Sequence, residues 1–328
     1  MKTKVSVIIP NWNGRHLLKV CLESLERQTL KNFEVVIVDN GSSDTSVEYI
    51  KKYFPKVKVI PLDKNYGFTK AVNTGIKNAK GEYLVLLNND TELDSRYLEY
   101  LVKASDNHPD VGFVAAKMLN FYNRKIIDSA WDAVSVVGHS YSVGQGKKDS
   151  IEFNKPQYIF LATGGSSLFK RQIFEKVGYF DEDYHTYMED VDLCLRAQIA
   201  GFKGWYEPKA ILYHMRKATS SRIVSLSEYW HFRNMTQNII KDYPLKLFLI
   251  DLNWLKILLV NINTIIYMAK KGFLKQALAA DAYILFHLPS LLKKRFLIQK
   301  SKIVSDDYMI QNIRPKKITF FGLLKKGI

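Results

Sequence analysis

The sequence has few cysteines and lacks the glycine-rich loops of the common nucleotide-binding folds. Only two cysteines, Cys21 and Cys194, occur in 328 residues, and both lie in apolar helical patterns typical of small buried residues. A disulfide framework and a cysteine-based metal cluster are therefore excluded, and we expect a reducing, cytoplasmic setting. Residues 10–14 contain one glycine where a G-x-G-x-x-G turn needs three, and no G-x-x-x-x-G-K-[ST] motif occurs. Dinucleotide binding of the common kind and P-loop chemistry are excluded.

Long uncharged runs are also missing. The longest in the C-terminal third covers residues 257–269, which is short of the ~20 residues that cross a bilayer as a helix. The first apolar run, at residues 5–10, is too short for the apolar region of a signal peptide. We therefore expect neither a leader peptide nor a transmembrane helix.

The positive charge is concentrated at one end of the chain. Lys and Arg number 48 against 32 Asp and Glu, a net charge of +16. Residues 241–328 hold 16 Lys and Arg against 5 Asp, which gives them +11 of that total. A basic extension on a nearly balanced domain predicts an anionic partner surface. No nucleic-acid-binding module is recognisable, so we expect no nucleic acid and favour lipid.

Two apolar segments in this basic region carry regularly spaced charges. Residues 245–260 and 277–292 are typical of amphipathic helices with aromatic anchors and basic flanks, lying in a membrane interface. An ordinary helical cap on the preceding domain, or the interface of a homodimer, is the structural alternative. We expect a catalytic domain at residues 1–240 and a membrane-associating helical extension at residues 241–328.

Apolar strands and helical patterns alternate through the first ninety residues. The predicted strands are residues 4–10, 33–39, 57–62 and 83–88, and the predicted helices are residues 15–28, about 47–54 and 69–79. Short connections between them predict an α/β fold with a mostly parallel central sheet. The loop after each strand then opens on the same edge of the sheet, so these loops should line one crevice.

Two polar strand ends are candidate ligand sites. The buried strand at residues 83–88 runs into Asn89 and Asp90, and a second strand at residues 210–214 ends in His214. A carboxylate and an imidazole at a sheet edge could hold a metal or a phosphate-bearing substrate. The alternatives are a simple turn at Asn89-Asp90 and a histidine satisfied by its surroundings.

A third candidate lies at a predicted helix start. Residues 188–200 form a helical pattern whose first turn contains Glu189, Asp190 and Asp192. Such residues complement the helix dipole, which is the structural reading, but an ionised carboxylate at a helix start also suits a general base. Upstream, Gly164 and Gly165 interrupt a strand-like run at residues 158–169, which indicates a bulge or close approach to a ligand. Residues 121–158 predict only loops and short strands.

Six motifs in fixed order resemble glycosyltransferase family 2 with the GT-A fold, most closely its rhamnosyltransferase-like bacterial branch. The resemblance covers residues 5–234. The motifs are VSVIIPNWNG (5–14), VVIVDNGSSD (35–44), NYGFTKAVNTGI (65–76), LVLLNNDT (84–91), TGGSSLFKR (163–171) and GYFDEDYHTYMEDVDLCLR (178–196). The strict DxD motif of the family is incomplete, because Asn88 stands where the first acid would be.

The resemblance implies a role for each matching residue. Asp39 would contact the nucleotide base, Asn65 and Asn73 would lie near the ribose or diphosphate, and Asp190 would be the catalytic base. The donor-binding set that it implies is Pro10, Asn11, Asn13, Asp39, Gly41, Asn65, Asn73, Asn89 and Asp90. Gly164, Gly165 and Glu189 would lie on the acceptor side, and Asp90 with His214 would hold Mg²⁺ or Mn²⁺.

The implied activity is inverting transfer of a sugar from a nucleotide-diphosphate donor to a growing glycan. L-Rhamnose from dTDP-rhamnose is the first choice, and a hexose or N-acetylhexosamine from a UDP donor is the alternative. A lipid-linked acceptor at the inner face of the cell membrane would suit the basic extension. A non-catalytic glycan-binding scaffold is a competing class. A nucleotidyltransferase is disfavoured because no G-x-G-x-R loop follows the first strand.

Overall fold

The computed structural model describes residues 3–216 and 224–313. Its first ninety residues alternate strands and helices as predicted. These elements are β1 (Val5–Asn11), α1 (Arg15–Glu26), β2 (Phe33–Asp39), α2 (Ser46–Tyr53), β3 (Lys58–Pro61), α3 (Phe68–Asn78) and β4 (Tyr83–Leu87). The order β3-β2-β1-β4 is parallel throughout. The predicted parallel sheet is therefore present, and its strands end at one edge.

The sheet continues beyond β4 with mixed strand directions. The added elements are β5 (Thr91–Leu93), α4 (Tyr97–Asn107), β6 (Val111–Asn120), β11 (Ser166–Lys170) and β12 (Lys203–His214). Strand β11 runs antiparallel between β4 and β6, whereas β12 lies parallel to β6. The short β5 pairs with the end of β12, opposing Thr91 to His214. That pairing brings two distant strand ends to the same edge.

Short strands occupy the stretch between β6 and β11. They are β7 (Ile127–Ser129), β8 (Asp132–Val134), β9 (Ser140–Ser142) and β10 (Gln157–Ile159), with a 3₁₀ turn at Ile151–Asn154. Strands β8 and β9 form a separate hairpin. The prediction of one interrupted strand over residues 158–169 is wrong in detail: β10 pairs with β12, and β11 pairs with β4 and β6. The two glycines belong to the connection between them.

The strands are buried on both faces. Along β1, Val7 and Ile9 face one apolar cluster, while Ile8 faces the other, and all three are fully buried. Helices cover both faces, which explains why β4 is continuously apolar in sequence and why Ser6 is the one polar residue within the apolar run of β1. Cys21 and Cys194 are free and buried, as predicted. The sheet is thus a rigid base for the loops at its edge.

Helices make up the rest of the described chain. They are α5 (Arg171–Val177), α6 (Glu189–Ile199), α7 (Val224–Asp242), α8 (Leu245–Leu249), α9 (Asn253–Lys270), α10 (Leu274–Lys300) and α11 (Asp306–Ile313). Helix α10 packs along α7. None of the helices described has both the length and the hydrophobicity to cross a membrane.

The two predicted amphipathic helices differ from the prediction in their bounds. The predicted helix over residues 245–260 is broken, because Asp251 and Leu252 adopt positive φ angles of 50° and 51° between α8 and α9. The second helix is longer than residues 277–292. Its C-terminal turns include Arg295, which donates hydrogen bonds to the carbonyl oxygens of Ile240 and Tyr243 at 2.7 and 2.8 Å. This contact joins α10 to the C-terminal end of α7.

Candidate active site

The polar strand ends meet in a cleft of about 840 Å³ at the carboxyl edge of the sheet. Five of the predicted donor-binding residues line it, together with His214: these are Pro10, Asn11, Asn65, Asn89 and Asp90. Aromatic residues that the sequence did not indicate, Trp12 and Trp230, line it as well. The cleft therefore combines amides, a carboxylate, an imidazole and flat apolar surfaces.

A chain of side-chain hydrogen bonds fixes the floor of this cleft. Asn89 Nδ2 donates to Asn11 Oδ1, and Asn11 Nδ2 donates to Asp39 Oδ1, each at 2.8 Å. Asp39 is only 2% exposed and does not itself line the cleft. A side chain at Gly14 would place its Cβ 2.2 Å from Asn89 Nδ2, so the tight first turn requires glycine. Asp39 acts here by orienting Asn11.

The loop after β2 is held from both sides. Gly41 has φ of +73°, and a Cβ there would lie 2.5 Å from the backbone of Lys64. Asn13 Oδ1 accepts a hydrogen bond from the Ser43 amide at 2.8 Å. Asn65 Oδ1 accepts one from Asn40 Nδ2 at 2.9 Å. These predicted residues therefore shape the rim of the cleft, even where they do not line it.

Asn73 does not lie where the resemblance implied. It is buried in α3, where its Nδ2 donates to the Phe180 carbonyl at 2.9 Å and its Oδ1 accepts from the Phe180 amide at 3.0 Å. It lines neither of the two clefts described here. The predicted contact of Asn73 with ribose or diphosphate is therefore corrected: its amide is fully used in fastening the loop before α6.

Asp90 and His214 face each other in the first cleft. His214 Nε2 lies 3.3 Å from Asp90 Oδ2, and His214 Nδ1 lies 2.5 Å from Asp128 Oδ2. Arg216 Nε lies 3.1 Å from the other oxygen of Asp128. Burial would lower the pKa of His214, but hydrogen bonds to Asp128 and Asp90 outweigh it and raise that pKa to about 9. At neutral pH the imidazole is therefore positively charged and balances two carboxylates, and it would have to release its Nε2 proton before that nitrogen could bind a cation.

Asp128 was missed by the sequence reasoning. It lies on the short strand β7 within the stretch predicted as loops, and nothing in its immediate sequence marks it. Its role comes from the antiparallel pairing of β7 with β6, next to β12. A carboxylate behind the histidine fixes the ring orientation and leaves Nε2 directed at Asp90.

Asp90 and His214 offer two side-chain atoms that could bind a divalent cation. A carboxylate oxygen suits Mg²⁺ and Mn²⁺, and an imidazole nitrogen suits Mn²⁺ better than Mg²⁺. Across residues 3–216 and 224–313 no group of three or more His, Cys, Asp or Glu side chains is arranged to hold a metal ion. Asp90 and His214 could therefore supply only part of a coordination shell, and the remaining ligands would come from substrate and water.

A second cleft of about 500 Å³ adjoins the first. Both clefts are lined by Asn88, Thr186 and Tyr187. The predicted acceptor-side residues Gly164, Gly165 and Glu189 line the second cleft, as do Asp190 and, from the hairpin β8–β9, Asp132 and Ser142. A Cβ on Gly165 would lie 2.5 Å from Asn88 Nδ2. The glycine pair therefore allows the backbone to approach Asn88 at the end of β4, and the predicted approach to a ligand stays a prediction.

Asp190 is held in place by backbone amides. Its Oδ2 accepts a hydrogen bond from the Gly164 amide at 2.9 Å, and its Oδ1 accepts one from the Val191 amide at 2.8 Å. Burial raises its pKa above the ordinary aspartate range, although these hydrogen bonds partly oppose the change. A carboxylate with a raised pKa is a stronger base than an exposed one. The geometry is suited to taking a proton from a hydroxyl group in this cleft.

Two further carboxyl groups surround Asp190. Burial, and then the charge of Asp190, raise the pKa of Glu189 well above its ordinary range, and its Oε2 has no hydrogen-bond partner among the described residues. The same two causes raise the pKa of Asp132 to about 7, although Ser142 and Ser129 donate hydrogen bonds to it. All three carboxyl groups therefore have pKa values above the ordinary range of exposed carboxyl groups.

Asp192, the third acid of the helix start, has a structural role. It is fully buried and forms ion pairs of 2.6 Å with both Arg196 and Lys241. Burial alone would raise its pKa, but these two cations lower it. Asp192 is thus used for ion pairing within the fold, and the role of general base stays a prediction for Asp190.

Comparison with known proteins finds a family match in the part of the chain that precedes the Asp190 helix. The model of the family described as Glycosyl transferase family 2 matches residues 6–178. Glycosyltransferase GlyA of Streptococcus pneumoniae serotype 4 is 28% identical over 233 residues, which are 67% of this chain and 32% of GlyA. The chain thus spans about a third of that relative.

Two solved structures share the fold. GalNAc-T7, solved with UDP, GalNAc and Mn²⁺, superimposes with a TM-score of 0.60 at 18% identity, over 75% of this chain and 49% of that one. A mannosyltransferase of Pyrobaculum calidifontis, in complex with GDP-Man and Mn²⁺, gives 0.54 at 20% identity, over 97% and 89%. At such identity the likeness establishes the fold alone, and the expected GT-A fold is confirmed.

Proposed function

The chain belongs to glycosyl transferase family 2, and from that membership we propose that it transfers a sugar from a nucleotide-diphosphate donor to an acceptor hydroxyl group. The observation that carries the proposal is the junction of the two clefts. Asn88, Thr186 and Tyr187 line both, so a group bound in the first cleft meets a group bound beside Asp190. One cleft then serves the donor, and the other the acceptor.

The donor's nucleotide and diphosphate would occupy the first cleft. The ordered amides of Asn11 and Asn89 offer hydrogen bonds of fixed direction to a polar ligand, and Trp12 offers an apolar surface for a ring. Asp39 would act on the base mainly by holding Asn11. The charge of Arg216, which lines the same cleft, favours an anionic ligand at the Asp90 end.

A divalent cation, Mg²⁺ or Mn²⁺, would be held by Asp90 and His214 and would offset the charge that develops on the departing diphosphate. Two protein ligands make a weak site by themselves, because the remaining positions depend on the diphosphate and water. Asp128 would keep His214 Nε2 directed at the cation through its contact with Nδ1.

Asp190 would act as the general base. Its carboxylate takes the proton from the acceptor hydroxyl as the hydroxyl oxygen bonds to the anomeric carbon, while the bond from that carbon to the diphosphate breaks. Attack from the face opposite the diphosphate inverts the configuration at that carbon. Gly164 and Val191 hold the carboxylate through their amides, so it need not reorient during the reaction.

The sugar and its nucleotide follow from the branch that the motifs resemble. We take L-rhamnose from dTDP-rhamnose as the first choice, with a UDP-hexose or UDP-N-acetylhexosamine as the alternative donor. The hairpin β8–β9 carries Asp132 and Ser142 into the acceptor cleft, so its short strands would help to choose the acceptor.

The helical extension supports an acceptor attached to a membrane. Trp254, Leu258, Ile262 and Ile266 recur every fourth residue along α9 and are each 45–50% exposed. This stripe lies on one side of the helix. Lys270, Lys271 and Lys275 are exposed at the connection to α10. An apolar stripe with flanking lysines fits an anionic membrane surface, so we propose peripheral association and a lipid-linked glycan acceptor.

A donor panel with and without Mn²⁺ tests the proposed activity. Thermal unfolding is followed with dTDP-rhamnose, UDP-glucose, UDP-N-acetylglucosamine and GDP-mannose, each with the wild type and with Asp90→Asn. We expect one donor to raise the Tm of the wild type in the presence of Mn²⁺, and expect Asp90→Asn to lose most of that increase. Folded protein that responds to no donor in either condition would favour the non-catalytic scaffold.

A further inference from the structure

The backbone that leads into the Asp190 helix is strained. His185, Tyr187 and Met188 have φ angles of 64°, 67° and 66°, a region that L-residues with side chains adopt rarely. Such conformations persist only where surrounding contacts fix them. Thr186 and Tyr187 line both clefts, and Glu189 and Asp190 follow at once. The conformation of residues 184–188 therefore sets where Asp190 lies.

One buried amide holds most of this segment. Asn234, on α7, is 0% exposed. Its Nδ2 donates hydrogen bonds to the carbonyl oxygens of Tyr184, Thr186 and Tyr187 at 3.0, 2.9 and 2.8 Å. Three carbonyls that converge on one amide nitrogen require the chain to fold back around it. That requirement matches the positive φ angles along the segment.

The orientation of Asn234 is itself fixed. Its Oδ1 accepts hydrogen bonds from Arg233 Nε and Gln237 Nε2, both at 2.9 Å, so the nitrogen must face the carbonyls. Arg233 also donates to the carbonyl oxygens of Asp183 and Tyr184, and Asn238 Nδ2 donates to that of Met188 at 3.2 Å. Side chains of α7 thus donate hydrogen bonds to five backbone carbonyl oxygens between residues 183 and 188. The donors are Arg233, Asn234 and Asn238.

Resting on the proposed transfer reaction, we infer that Asn234 is a positioning residue for the general base: it touches neither substrate nor Asp190, but fixes the segment between the clefts. Helix α7 lies outside residues 6–178, which the family model matches. Without the amide, the carbonyl oxygens of Thr186 and Tyr187 lose this donor, while that of Tyr184 keeps its hydrogen bond from Arg233. The strained residues can then relax. Asp190 would then remain chemically intact but stand in the wrong place.

Two substitutions and one control test the inference. Asn234→Ala removes the donor, and Asn234→Asp keeps the acceptor for Arg233 and Gln237 but cannot donate to the carbonyls. Asn253→Ala is the matched control, because Asn253 is equally buried, and its Nδ2 donates to the Val136 carbonyl at 3.0 Å, away from both clefts. Each variant is compared by thermal unfolding, steady-state kinetics and hydrogen exchange of residues 184–190.

We expect kcat to fall by roughly 10- to 100-fold in both Asn234 variants, with the KM for donor changed by less than about threefold, since a positioning defect acts on the reacting step. Amides 184–190 should exchange faster. Asn253→Ala should keep the wild-type kcat, even if its Tm falls as far as that of the Asn234 variants. Wild-type kcat in Asn234→Asp, or equal loss in Asn253→Ala, would overturn the inference. Hydrogen exchange needs no turnover, so unchanged protection of residues 184–190 overturns it even if no donor is transferred.

Discussion

His214 Nε2 lies 3.3 Å from Asp90 Oδ2, across the pairing of β5 with β12. This contact joins two strand ends that are distant in sequence and assembles the only pair of side chains that we assign to the cation. Because that pair supplies part of a coordination shell, the proposed donor has to complete it.

Metal binding should therefore depend on the donor. Titration calorimetry with Mn²⁺ should show weak binding to the protein alone and at least roughly tenfold tighter binding with a nucleoside diphosphate present. Asp90→Asn should abolish that gain. Asp94→Asn is the control, since Asp94 instead accepts a hydrogen bond from the Arg96 amide outside the cleft. Tight Mn²⁺ binding by the wild type without any nucleotide would contradict the two-ligand site.

Asp132 should make the folded state less stable as the pH rises. Burial and the charge of Asp190 raise its pKa to about 7, so the native state retains a proton that the unfolded chain releases at lower pH. The free energy of unfolding then falls between about pH 4 and pH 7. Asp132→Asn should remove the part of this decline that comes from Asp132, leaving the parts from Glu189 and Asp190. The variant should be more stable than wild type at pH 8 by about 1 kcal/mol or more.

Urea unfolding at pH 5 and pH 8 measures this effect. Asp63→Asn, which removes the charge of an exposed carboxylate, is the comparison variant. If Asp132→Asn raises the free energy of unfolding no more at pH 8 than at pH 5, the pKa of Asp132 is not raised in the folded protein.

The apolar stripe of α9 should bind anionic membranes. Substituting Trp254, Leu258 and Ile262 together by serine should weaken co-sedimentation with phosphatidylglycerol vesicles by roughly tenfold or more. Each substitution removes apolar surface that would be buried in the membrane interface. High salt should weaken binding by the wild type, since lysines contribute. A triple substitution of exposed apolar residues elsewhere, Tyr53, Tyr122 and Ile151, should have little effect. Equal loss of vesicle binding in both triple variants would contradict the proposal that α9 binds the membrane.

Much of the fold was predictable because its signals are local. Strand β4 is apolar throughout, β1 is apolar apart from Ser6, and both runs end abruptly in polar residues. Their direction and their shared edge followed from alternation with helices. Asp90 and His214 were found for the same reason. The break at Asp251 and Leu252 was not predicted, because the apolar pattern continues through it and only the backbone angles reveal the turn.

The missed residues depend on contacts between distant segments. Asp128 and Asp132 lie on three-residue strands, which are too short to show a period. Asp128 lies behind His214, and Asp132 lines the second cleft, only because their strands pair with other segments. Asn73 was misplaced because a buried amide that fastens a loop has the same local sequence as one that binds a ligand. The Asn234 side chain binds backbone carbonyl oxygens of a segment that is distant in sequence. A pattern of apolar and polar residues does not reveal such a contact.

The most direct test of the account is the effect of Asp190→Asn on transfer and donor binding. Single-turnover sugar transfer from the donor identified by the panel is measured alongside the affinity for that donor with Mn²⁺ present. We predict that the rate falls by roughly 10²- to 10⁴-fold, because the acceptor hydroxyl loses its base, while donor affinity stays within about threefold of the wild type. Transfer at a near-wild-type rate by Asp190→Asn would contradict the assignment of Asp190 as the general base.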